Sequence, residues 1–430
     1  MLDINLIRQK PEWVAAQLAK RGTEVDFAQV LKLDAQKRKL QTETEALKAR
    51  RNKVSAEVAV LKKQGSPTDA IIAEMKTLGD KIAANDKKLG KLEAQTFNFL
   101  AALPNIPADE VVAGGKENNK VIKTFGTKPN FTFKPKDHVE LCTKLGLIDY
   151  ERAARMSGAR TWIYTGLGAM LEWALLNYFI DFHVANGYTL IMPPHLLNYE
   201  SGYAAGQFPK FQEDVFCTTI DDGEQTADAA RAKFRFFIPT AETALINMHR
   251  GEIIPPEKLP IKYAGYSTCY RNATAGYGSK ERGMIRGYQF NKIEMFSFCK
   301  ADESPQIFKE FVRNAEKLVE GLGLHYQTVA LAAGDVGASM AITYDIEVFV
   351  PSFGYKEVSS ASNAMDYQAR RAGIRTRTAE GNALVHTLNA SGLATSRIIP
   401  AIVEQFQNAD GSVTLPTALH KYMHGITVLK

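Results

Sequence analysis

Residues 27–100 constrain the fold more than any other part of the chain. They contain a single proline, Pro67, and three glycines, and they are rich in Lys, Gln, Glu, Ala and Leu, which all favour helix. The proline follows Gly65 and Ser66, a combination that is typical of a turn. The segment therefore predicts two long helices that are joined by a short turn.

Both predicted helices carry a heptad pattern of apolar residues. In the first helix the apolar residues recur at every seventh position, and in the second the spacing alternates between four and three residues with polar interruptions. Two helices of roughly 35 residues predict an antiparallel hairpin about 50 Å long, which is too long to bury all its surface, so we expect it to project as an arm. The positions are Leu33, Leu40, Leu47, Val54 and Leu61 in the first helix, and Ile71, Met75, Leu78, Ile82, Asn85, Leu89, Leu92, Thr96 and Phe99 in the second.

The net charge of the chain lies in this hairpin. Residues 27–100 hold 15 Lys and Arg against 9 Asp and Glu, a net charge of +6. The whole chain has the same net charge, so the other residues carry equal numbers of each sign. Six basic residues crowd toward the predicted tip with only Glu57 among them. Such a tip suits a polyanion such as the RNA backbone, although the alternative is that the lysines only solvate a coiled coil. The six residues are Lys48, Arg50, Arg51, Lys53, Lys62 and Lys63.

Composition excludes several classes of protein. The chain is 45% hydrophobic, which is too much for a disordered polymer. Its longest apolar stretch, residues 170–184, is interrupted by Glu172, Asn177 and Asp181, so no membrane span is predicted, and its start lacks the apolar core of a signal peptide. The four cysteines lie far apart without a CxxC pair, which argues against a zinc site or a disulfide framework. We therefore expect a cytoplasmic protein.

The remainder of the chain predicts mixed helices and strands. Residues 104–119 contain proline, glycine and asparagine and predict a linker. From Leu167 onward the apolar residues follow a helical spacing as far as Asn186 and Gly187, where the helix is expected to end. A short strand is then predicted to run to Pro193. This arrangement is common and identifies no function.

Residues 261–298 carry the strongest local signal. Segments 261–271 and 288–298 have strand character, and the loop between them contains four glycines together with Lys280, Arg282 and Arg286. A loop of this length is uncommon in a hairpin unless it binds something. Guanidinium groups match phosphate oxygens, and glycine lets the backbone approach them closely. We therefore predict a triphosphate-binding hairpin, with a solvated surface hairpin as the alternative.

Five motifs follow one another along the chain in the order found in one known family. They are the helix and strand before Pro193-Pro194, residues 239–242 (PTAE), residues 269–294, residues 357–363 (EVSSASN) and residues 386–397 (HTLNASGLATSR). These resemble motif 1, the serine-binding loop, motif 2, the ATP and magnesium segment and motif 3 of the seryl-tRNA synthetases, which are class II aminoacyl-tRNA synthetases. The resemblance covers essentially the whole chain.

The resemblance implies an α+β fold. A long antiparallel α-helical coiled-coil arm is followed by a class II synthetase-type antiparallel β-sheet catalytic domain that is flanked by helices. The implied domains are an N-terminal tRNA-binding domain at 1–103, the linker at 104–119 and the catalytic domain at 120–430. The implied partners are ATP, L-serine and tRNA(Ser), with a homodimer formed through motif 1 and no role for DNA or a membrane.

The implied reaction is the ATP-dependent attachment of L-serine to tRNA(Ser), and also to tRNA(Sec). The serine carboxylate attacks the α-phosphate of ATP to give seryl-adenylate and pyrophosphate, and a ribose hydroxyl of tRNA then attacks the seryl carbonyl. Arg271, Arg397 and Glu357 are the implied catalytic residues, and Glu357 and Ser360 resemble the ligands of Mg²⁺. The ATP-binding residues implied by the resemblance are Arg271, Asn272, Ala273, Arg286, Phe290 (stacked on adenine), Glu357, Val358, Ser359, Ser360 and Arg397.

The resemblance also implies a serine pocket. Arg271 is expected to hold the serine carboxylate, and a protein carboxylate that accepts from the substrate amino group or hydroxyl would reject alanine, because buried polar groups would then be left unpaired. The remaining residues of the implied pocket are Thr240, Ala241, Glu242, Glu294, Asn389 and Ser391.

Three positions depart from the family pattern. Ala273 stands where motif 2 usually has a glutamate, which is expected to weaken adenine binding by about 1 to 3 kcal/mol. Tyr288 stands where a histidine is usual, and Pro400 lies inside the expected motif 3 helix, where it is expected to kink the helix. The departures keep open an alternative function, that of a paralogue that binds tRNA or a protein partner without aminoacylation.

Overall fold

The chain forms two compact units. The computed structural model describes residues 1–65, 67–220, 233–272 and 282–430, with every side chain in those ranges except Ala59 and Lys62. The first unit comprises residues 2–19 and 23–103, and the second comprises residue 1, residues 20–22 and residues 104–430.

Helices account for the first unit. Two short helices, α1 (Ile4–Gln9) and α2 (Pro11–Ala19), precede the long helices α3 (Ala28–Lys63) and α4 (Asp69–Ala102). The long helices have 36 and 34 residues and pack against each other along their length. The prediction of two long paired helices is confirmed.

The contact seam between α3 and α4 follows the heptad pattern. All nine predicted positions in α4 are buried or half-buried, and so are the five positions of the sevenfold series in α3. That series proves to be only half of the seam, because Lys37, Thr44, Arg51 and Val58 are also withdrawn from solvent between its members. Thr44 satisfies its hydroxyl within the helix by donating to the Leu40 carbonyl at 2.7 Å. From Leu33 to Val54 polar residues therefore alternate with apolar ones in the seam of α3.

The second unit has the following elements in its described part. The helices are α5 (His138–Lys144), α6 (Tyr150–Ser157), α7 (Leu167–Ala185), α8 (Tyr199–Ala204), α9 (Glu242–Leu245), α10 (Ser304–Gly321), α11 (Tyr367–Ala372) and α12 (Thr395–Gln405). The strands are β1 (Lys120–Phe125), β2 (Ile148–Asp149), β3 (Ile163–Tyr164), β4 (Thr189–Ile191), β5 (Leu196–Asn198), β6 (Cys217–Thr219), β7 (Phe234–Phe237), β8 (Ile253–Ile254), β9 (Ile261–Tyr270), β10 (Gln289–Cys299), β11 (Tyr326–Ala330), β12 (Ile342–Val350), β13 (Gly354–Met365), β14 (Arg375–Thr378), β15 (Gly381–Leu384), β16 (His386–Ala394), β17 (Val413–Thr414) and β18 (Val428–Leu429).

An eight-stranded sheet organises this unit. Its strand order is β1-β11-β12-β13-β16-β10-β9-β4, and every pair is antiparallel except β4 and β9. The predicted strands at 261–271 and 288–298 correspond to β9 and β10 within one residue at each end. The α+β fold with an antiparallel sheet and a helical hairpin is confirmed.

Side chains alternate between the two faces of β10. Ile293 and Met295 point to one face, where they join a hydrophobic core that includes Leu175 of α7 and Phe311 of α10. The residues between them point to the opposite face of the sheet. On that opposite face Phe296 and Phe298 join a second hydrophobic cluster with α9 and α11, whereas residues 290–294 of the same face line cavities.

Local signals end the helices where the sequence places them. α7 ends at Ala185, and Gly187 has a positive φ of 83°, as predicted from the Asn-Gly pair. Pro400 lies inside α12, which continues to Gln405, so the kink predicted at Pro400 does not end this helix. The missing N–H would have bonded to the Ser396 carbonyl, and the other helical bonds carry the helix through.

Residues 104–119 pack on the second unit. The Asn105 and Ala108 amides donate to the carbonyls of Ala338 and Ala341 at 2.7 and 2.9 Å, and Val111 is buried in the main core. A short 3₁₀ helix, Lys116–Asn118, precedes β1. The segment predicted as a linker is therefore an ordered part of this unit.

The structure bears on two properties that were predicted from composition, membrane spans and cysteine pairing. In the described ranges no helix is both long and apolar enough to cross a membrane. All four cysteines are free thiols, and three of them are buried.

Candidate functional site

Two adjoining cavities lie on the face of the sheet opposite Ile293 and Met295. The larger has a volume of about 610 Å³ and the smaller about 270 Å³. Residues from β10, β13 and β16 line both, so the loop and strand motifs converge there. The predicted residues that line one or both cavities are Thr240, Glu242, Arg271, Arg286, Phe290, Glu294, Glu357, Val358, Ser360, Asn389, Ser391 and Arg397.

Strand β10 presents three cavity residues in a row. Phe290, Lys292 and Glu294 alternate with the core residues of this strand and therefore share one face. The sequence analysis singled out the first and the third but missed Lys292. Because side chains alternate along a strand, the predicted cavity residues Phe290 and Glu294 would have indicated that Lys292 lies on the same face.

A well-buried part of the larger cavity, which we call the carboxylate pocket, is formed by Thr240, Glu242, Lys292, Glu294 and Asn389. One oxygen of Glu242 accepts from Asn389 Nδ2 at 3.2 Å, and Glu294 accepts from the same nitrogen at 3.1 Å. The Asn389 amide thus joins two carboxylates that come from different elements. Asn389 Oδ1 is buried and has no hydrogen-bond partner within the described residues, which leaves an acceptor for a ligand.

Glu242 is held by a second amide that the sequence analysis missed. Gln368 Nε2, on α11, donates to the other oxygen of Glu242 at 2.6 Å. Gln368 is itself fixed because its own carbonyl oxygen accepts from Thr387 at 2.7 Å. Only the packing of α11 against the sheet brings Gln368 to the pocket. No local sequence pattern therefore predicts this contact.

Lys292 supplies the positive charge of the carboxylate pocket. Its Nζ lies 2.6 Å from Glu294 Oε2 and donates to Thr240 Oγ1 at 2.8 Å. Lys292 and Glu294 are 5% and 1% exposed, so the pair is almost completely withdrawn from water. A buried ion pair of this kind requires both partners, because each would be costly to bury alone.

Burial and the neighbouring charge change the acidity of Glu242. Desolvation of the carboxyl, followed by repulsion from Glu294, raises the pKa of Glu242 to about 7. Gln368, Lys292 and Arg271 oppose this rise. The pocket therefore contains one carboxyl that changes its protonation near neutral pH.

We call the smaller cavity the arginine cavity, after Arg271, Arg286 and Arg397 in its lining. Arg271 is exposed, and its Nε donates to the Pro239 carbonyl at 3.2 Å. Its guanidinium lies 5.2 Å from the centroid of the Phe290 ring. In this state the cation therefore covers a face of the ring that was predicted to stack on adenine.

Arg397 and Arg286 complete the positive lining. Arg397 lies in the first turn of α12 and donates to two backbone carbonyls, those of Glu357 at 2.6 Å and Ile285 at 3.2 Å. Arg286 Nε is buried without a hydrogen-bond partner among the described residues. Three guanidinium groups in one cavity are suited to a polyphosphate.

A β-bulge places Glu357 and Ser360 on one face of β13. Glu357 pairs with Glu347 and Ser359 with Ile346, so Val358 is an extra residue on this strand. In a regular strand two residues three positions apart would face opposite sides. Glu357 and Ser360 instead both line the larger cavity.

The oxygen atoms near this bulge suit a hard cation. Asp345, which pairs with Ser360 across the strands, is 9% exposed, and its Oδ1 has no hydrogen-bond partner among the described residues. Burial and repulsion from Glu357 raise the pKa of Asp345 well above its ordinary value. Within the described ranges no three His, Cys, Asp or Glu residues are grouped closely enough to hold a metal. Mg²⁺ commonly takes one or two protein carboxylates together with water and substrate phosphates, so Glu357 and Ser360 fit that mode of binding.

A buried histidine anchors the end of the basic loop. His138 Nδ1 lies 2.8 Å from Glu404 Oε1, and the Met284 amide donates to His138 Nε2 at 3.3 Å. Because Ile285 follows Met284 and accepts from Arg397, these contacts join the loop to α12 at two points. The sequence analysis missed both His138 and Glu404, which are far from the loop in the chain.

Some predicted residues are not brought to the cavities. The side chain of Ala241 is packed in a hydrophobic cluster, and Ser359 is buried, with its hydroxyl donating to the Ser391 carbonyl at 2.6 Å. Asn272 lies beside the cavities without lining them, and its amide donates to the Asp214 carbonyl at 3.1 Å. Ala273 lies outside the described residues. Tyr288, which lines neither cavity, makes an edge contact with the Phe216 ring.

The six basic residues predicted at the tip of the hairpin differ in their surroundings. Lys48 pairs with Asp86 at 3.1 Å, and Arg50 Nε donates to Glu74 at 2.8 Å, so two of the six predicted charges are matched across the hairpin. Arg51 lies in the seam, where it is half-buried. Lys53 and Lys63 are exposed, and the side chain of Lys62 lies outside the described part.

The sequence matches two family models. Residues 230–406 match the tRNA synthetase class II core domain (G, H, P, S and T), and residues 1–107 match the seryl-tRNA synthetase N-terminal domain. The chain is also 52% identical to serine–tRNA ligase 2 of Clostridium acetobutylicum over 427 residues, which cover 98% of this chain and 99% of that protein.

Two solved structures are similar along the whole chain. One is the crystal structure of seryl-tRNA synthetase from Pyrococcus horikoshii complexed with ATP, with 33% identity, a TM-score of 0.89 and coverage of 100% of this chain and 99% of that one. The other is the cytoplasmic serine–tRNA ligase of Naegleria fowleri in complex with AMP, with 27% identity, a TM-score of 0.84 and the same coverage.

Proposed function

The chain belongs to the seryl-tRNA synthetases, and from that premise we propose which of its residues carry out each step of the reaction. It is a serine–tRNA ligase that binds ATP and attaches serine to tRNA. The proposal concerns the assignment of residues, the metal ion, the assembly and the range of tRNA substrates.

The arginine cavity is the site proposed for ATP. Adenine would stack on Phe290 once it replaces the Arg271 guanidinium there, and Arg271 would then hold the α-phosphate and the serine carboxylate. Arg397 would hold the distal phosphates, with Arg286 beside it. Preorganised positive charge of this kind lowers the barrier to displacement at phosphorus without covalent help from the protein. Val358 would supply an apolar wall.

Glu357 and Ser360 are the residues proposed to hold Mg²⁺. Their support is the bulge that brings both oxygen donors to the same cavity wall. When bound, the ion would neutralise charge on the phosphate oxygens. The protein's part in this is to fix the two donors and to place Arg397 next to Glu357, where Arg397 Nη1 lies 3.7 Å from Glu357 Oε2.

The carboxylate pocket is the site proposed for serine. Thr240, Glu242 and Glu294 offer acceptors for the amino group and the hydroxyl, and the unpaired Asn389 Oδ1 adds another. Ser391 lies at the junction of the two cavities, where the serine carboxylate must meet the α-phosphate. A buried pocket with this many polar groups rejects an amino acid without a hydroxyl, because the groups would be left unpaired.

The arm, the assembly and the location of the protein complete the proposal. Exposed Lys53 and Lys63 on the hairpin suit tRNA(Ser) backbone, and tRNA(Sec) would be a second substrate because it accepts the same amino acid by the same chemistry. A homodimer through α7 and β4 is supported by exposed apolar side chains, notably Trp173 and Met192 at 58% and 75% exposure. A cytoplasmic location is supported by four free thiols and by the name of the relative from Naegleria fowleri.

The observation that carries the assignment of residues is the contact between the two cavities, which share Arg271, Arg397 and Glu357. We expect purified protein with Mg²⁺ to exchange pyrophosphate into ATP only when serine is present. Alanine and threonine serve as matched amino acids, and neither should support exchange. If serine does not support pyrophosphate exchange either, the alternative of a paralogue without aminoacylation is correct.

A second experiment separates the arm from the catalytic unit. Gln36 of α3 and Gln95 of α4 line one groove between the helices, so residues 36–97 can be removed at matching points and replaced by a short turn. We expect serine-dependent exchange to persist and charging of tRNA(Ser) and tRNA(Sec) transcripts to be lost. Equal loss of both activities would contradict a tRNA-binding role for the arm.

A further inference from the structure

We propose that Lys292 is an internal substitute for the substrate amino group, which leaves its place in the carboxylate pocket when serine binds and then pairs with the serine carboxylate. The inference deepens the proposed serine site and rests on it. It assigns a function to a residue that neither the charge pattern nor the motifs had singled out.

The Lys292 ammonium group lies among the acceptors of the carboxylate pocket. Lys292 Nζ contacts Thr240 Oγ1 at 2.8 Å and Glu294 Oε2 at 2.6 Å. Both partners belong to the acceptors proposed for serine itself. With Lys292 in this position the amino group of serine would have to approach the same oxygens beside a like charge. Serine therefore cannot use these acceptors unless Lys292 moves away from them.

The charge balance of the carboxylate pocket depends on Lys292. Glu242 and Glu294 approach the Asn389 amide from two elements, Lys292 is paired directly with Glu294, and its charge also acts on Glu242. A pocket that held two buried carboxylates with no cation would be strongly unfavourable. The lysine thus keeps the empty pocket stable, and the ammonium of serine can take over that role when it arrives.

The reach of the Lys292 side chain permits a change of partner. Lys292 lines both the larger cavity and the arginine cavity, so its stem lies at their junction. A lysine has four flexible methylene groups and a compact charge, which suits a change of partner over a few ångströms. At the junction the displaced ammonium would meet the serine carboxylate and, later, the α-phosphate. Serine brings one charge of each sign, so the exchange leaves every charge paired.

The exchange makes the two charged groups of serine interdependent. A ligand with the amino group but no carboxylate would displace Lys292 and give it no new partner. Serinol, in which a CH₂OH group replaces the carboxylate of serine, is such a ligand. In the wild-type protein serinol should therefore bind much more weakly than serine, by more than the loss of the Arg271 contact alone explains.

The test compares serine and serinol in wild-type and Lys292→Met proteins by calorimetry without ATP. Methionine keeps the length and removes the charge, so serine should lose about tenfold or more in affinity because its carboxylate loses a charged partner. Serinol should keep its affinity or gain, because there is no longer a cation to displace. The dissociation constant of serinol divided by that of serine should therefore fall by at least about tenfold. If both ligands weaken by the same factor, Lys292 is only a structural partner of Glu294 and the inference is wrong.

Lys262→Met is the matched control. Lys262 lies on the neighbouring strand β9 and pairs with Glu310 at 2.7 Å outside both cavities. The Lys262→Met variant should leave the ratio of the serinol and serine dissociation constants unchanged. A change in that ratio would mean that loss of any lysine from this sheet alters the pocket.

The wild-type protein provides a second measurement in case Lys292→Met does not fold. A crystal structure with a non-hydrolysable seryl-adenylate analogue should show Lys292 Nζ beyond hydrogen-bonding distance of Thr240 Oγ1 and within it of the ligand carbonyl or phosphate. If Lys292 still contacts both Thr240 and Glu294 with the analogue bound, the inference is overturned. Absence of serine-dependent exchange in the wild type would instead overturn the proposed function itself, so the two failures are distinguishable.

Discussion

The carboxylate pocket and the arginine cavity adjoin each other but are built in different ways. In the pocket Glu242, Lys292 and Glu294 are all more than nine-tenths buried and contact one another or a shared amide. In the cavity Arg271 is exposed and the Arg397 side chain is 28% exposed, and both donate to backbone carbonyls. The pocket is therefore assembled by the protein alone, whereas the cavity has cations that can release their present partners to a ligand.

The physical reason is the cost of desolvation. A buried carboxylate needs a partner at all times, so the pocket can exist without a ligand only if its charges satisfy each other. A guanidinium near solvent loses little when it leaves a carbonyl, because water takes the place of the lost bond. Mutations in the two regions should consequently differ in how they divide their effects between folding and activity.

The largest effect is expected from Glu294→Gln. It leaves the Lys292 ammonium buried without its carboxylate, so we expect a loss of about 3 to 5 kcal/mol in the free energy of unfolding. kcat/KM for serine in pyrophosphate exchange should fall by at least about 100-fold. Chemical denaturation and the exchange assay measure the two effects. Glu310→Gln, which disturbs the more exposed pair with Lys262, should cost less than about 1 kcal/mol and leave exchange intact.

Arg397→Ala should lose activity without losing stability. We expect kcat/KM for ATP to fall by about 100-fold, because a preorganised charge beside the phosphates is removed. The free energy of unfolding should change by no more than about 1 kcal/mol, since the bonds lost are to partly exposed carbonyls. A large drop in stability measured by denaturation would mean that the arginine cavity is built as tightly as the pocket.

The affinities for serine and for ATP should depend differently on pH. Because the pKa of Glu242 is raised to about 7, its carboxyl is mostly protonated at pH 6 and mostly ionised at pH 8. The serine amino group is a cation and binds the ionised form, so the affinity for serine should rise as pH rises through 7, by up to about tenfold. Lys292, Glu294 and Arg271 are the charged groups that face the same carboxyl.

Calorimetric titration at several pH values measures this dependence, with release of a proton expected on serine binding near pH 7. Glu242→Gln should remove the pH dependence while weakening binding. The affinity for ATP should lack this inflection, and an inflection of equal size for both ligands would contradict a role for Glu242 in serine binding alone.

The smallest effect is expected from Tyr288→His, which restores the usual family residue. Tyr288 lines neither cavity, so KM for serine and for ATP should each stay within about twofold of the wild type. Steady-state kinetics measures both constants. A selective change in KM for ATP would show that this departure reaches the arginine cavity through its contact with Phe216.

Sequence patterns predicted the parts of the molecule that depend on local spacing. The heptads of α3 and α4 and the strands β9 and β10 are of this kind, because periodicity in the chain maps directly to one face of an element. The predicted cavity residues, such as Glu294 and Asn389, came from motif order rather than from spacing. Their identification therefore rested on resemblance and not on local physics.

The missed features all depend on contacts between distant segments. Gln368 reaches Glu242 only through the packing of α11, and His138 reaches Glu404 and the basic loop across more than a hundred residues of chain. The burial of Ala241 likewise follows from where α9 packs on the sheet. No periodicity within a segment encodes such pairings, so they became visible only in three dimensions.

The bulge in β13 also sets the spacing of two oxygen donors along the strand. In a regular strand the side chains that share a face are two or four residues apart. Here Glu357 and Ser360 line the larger cavity from three residues apart, while Val358 is packed in the main hydrophobic core and the Ser359 hydroxyl donates to the Ser391 carbonyl. The two residues between the donors are therefore held by the core and by the neighbouring strand. A carboxylate and a hydroxyl thus reach one cavity wall at a spacing that no regular strand offers, without any additional loop.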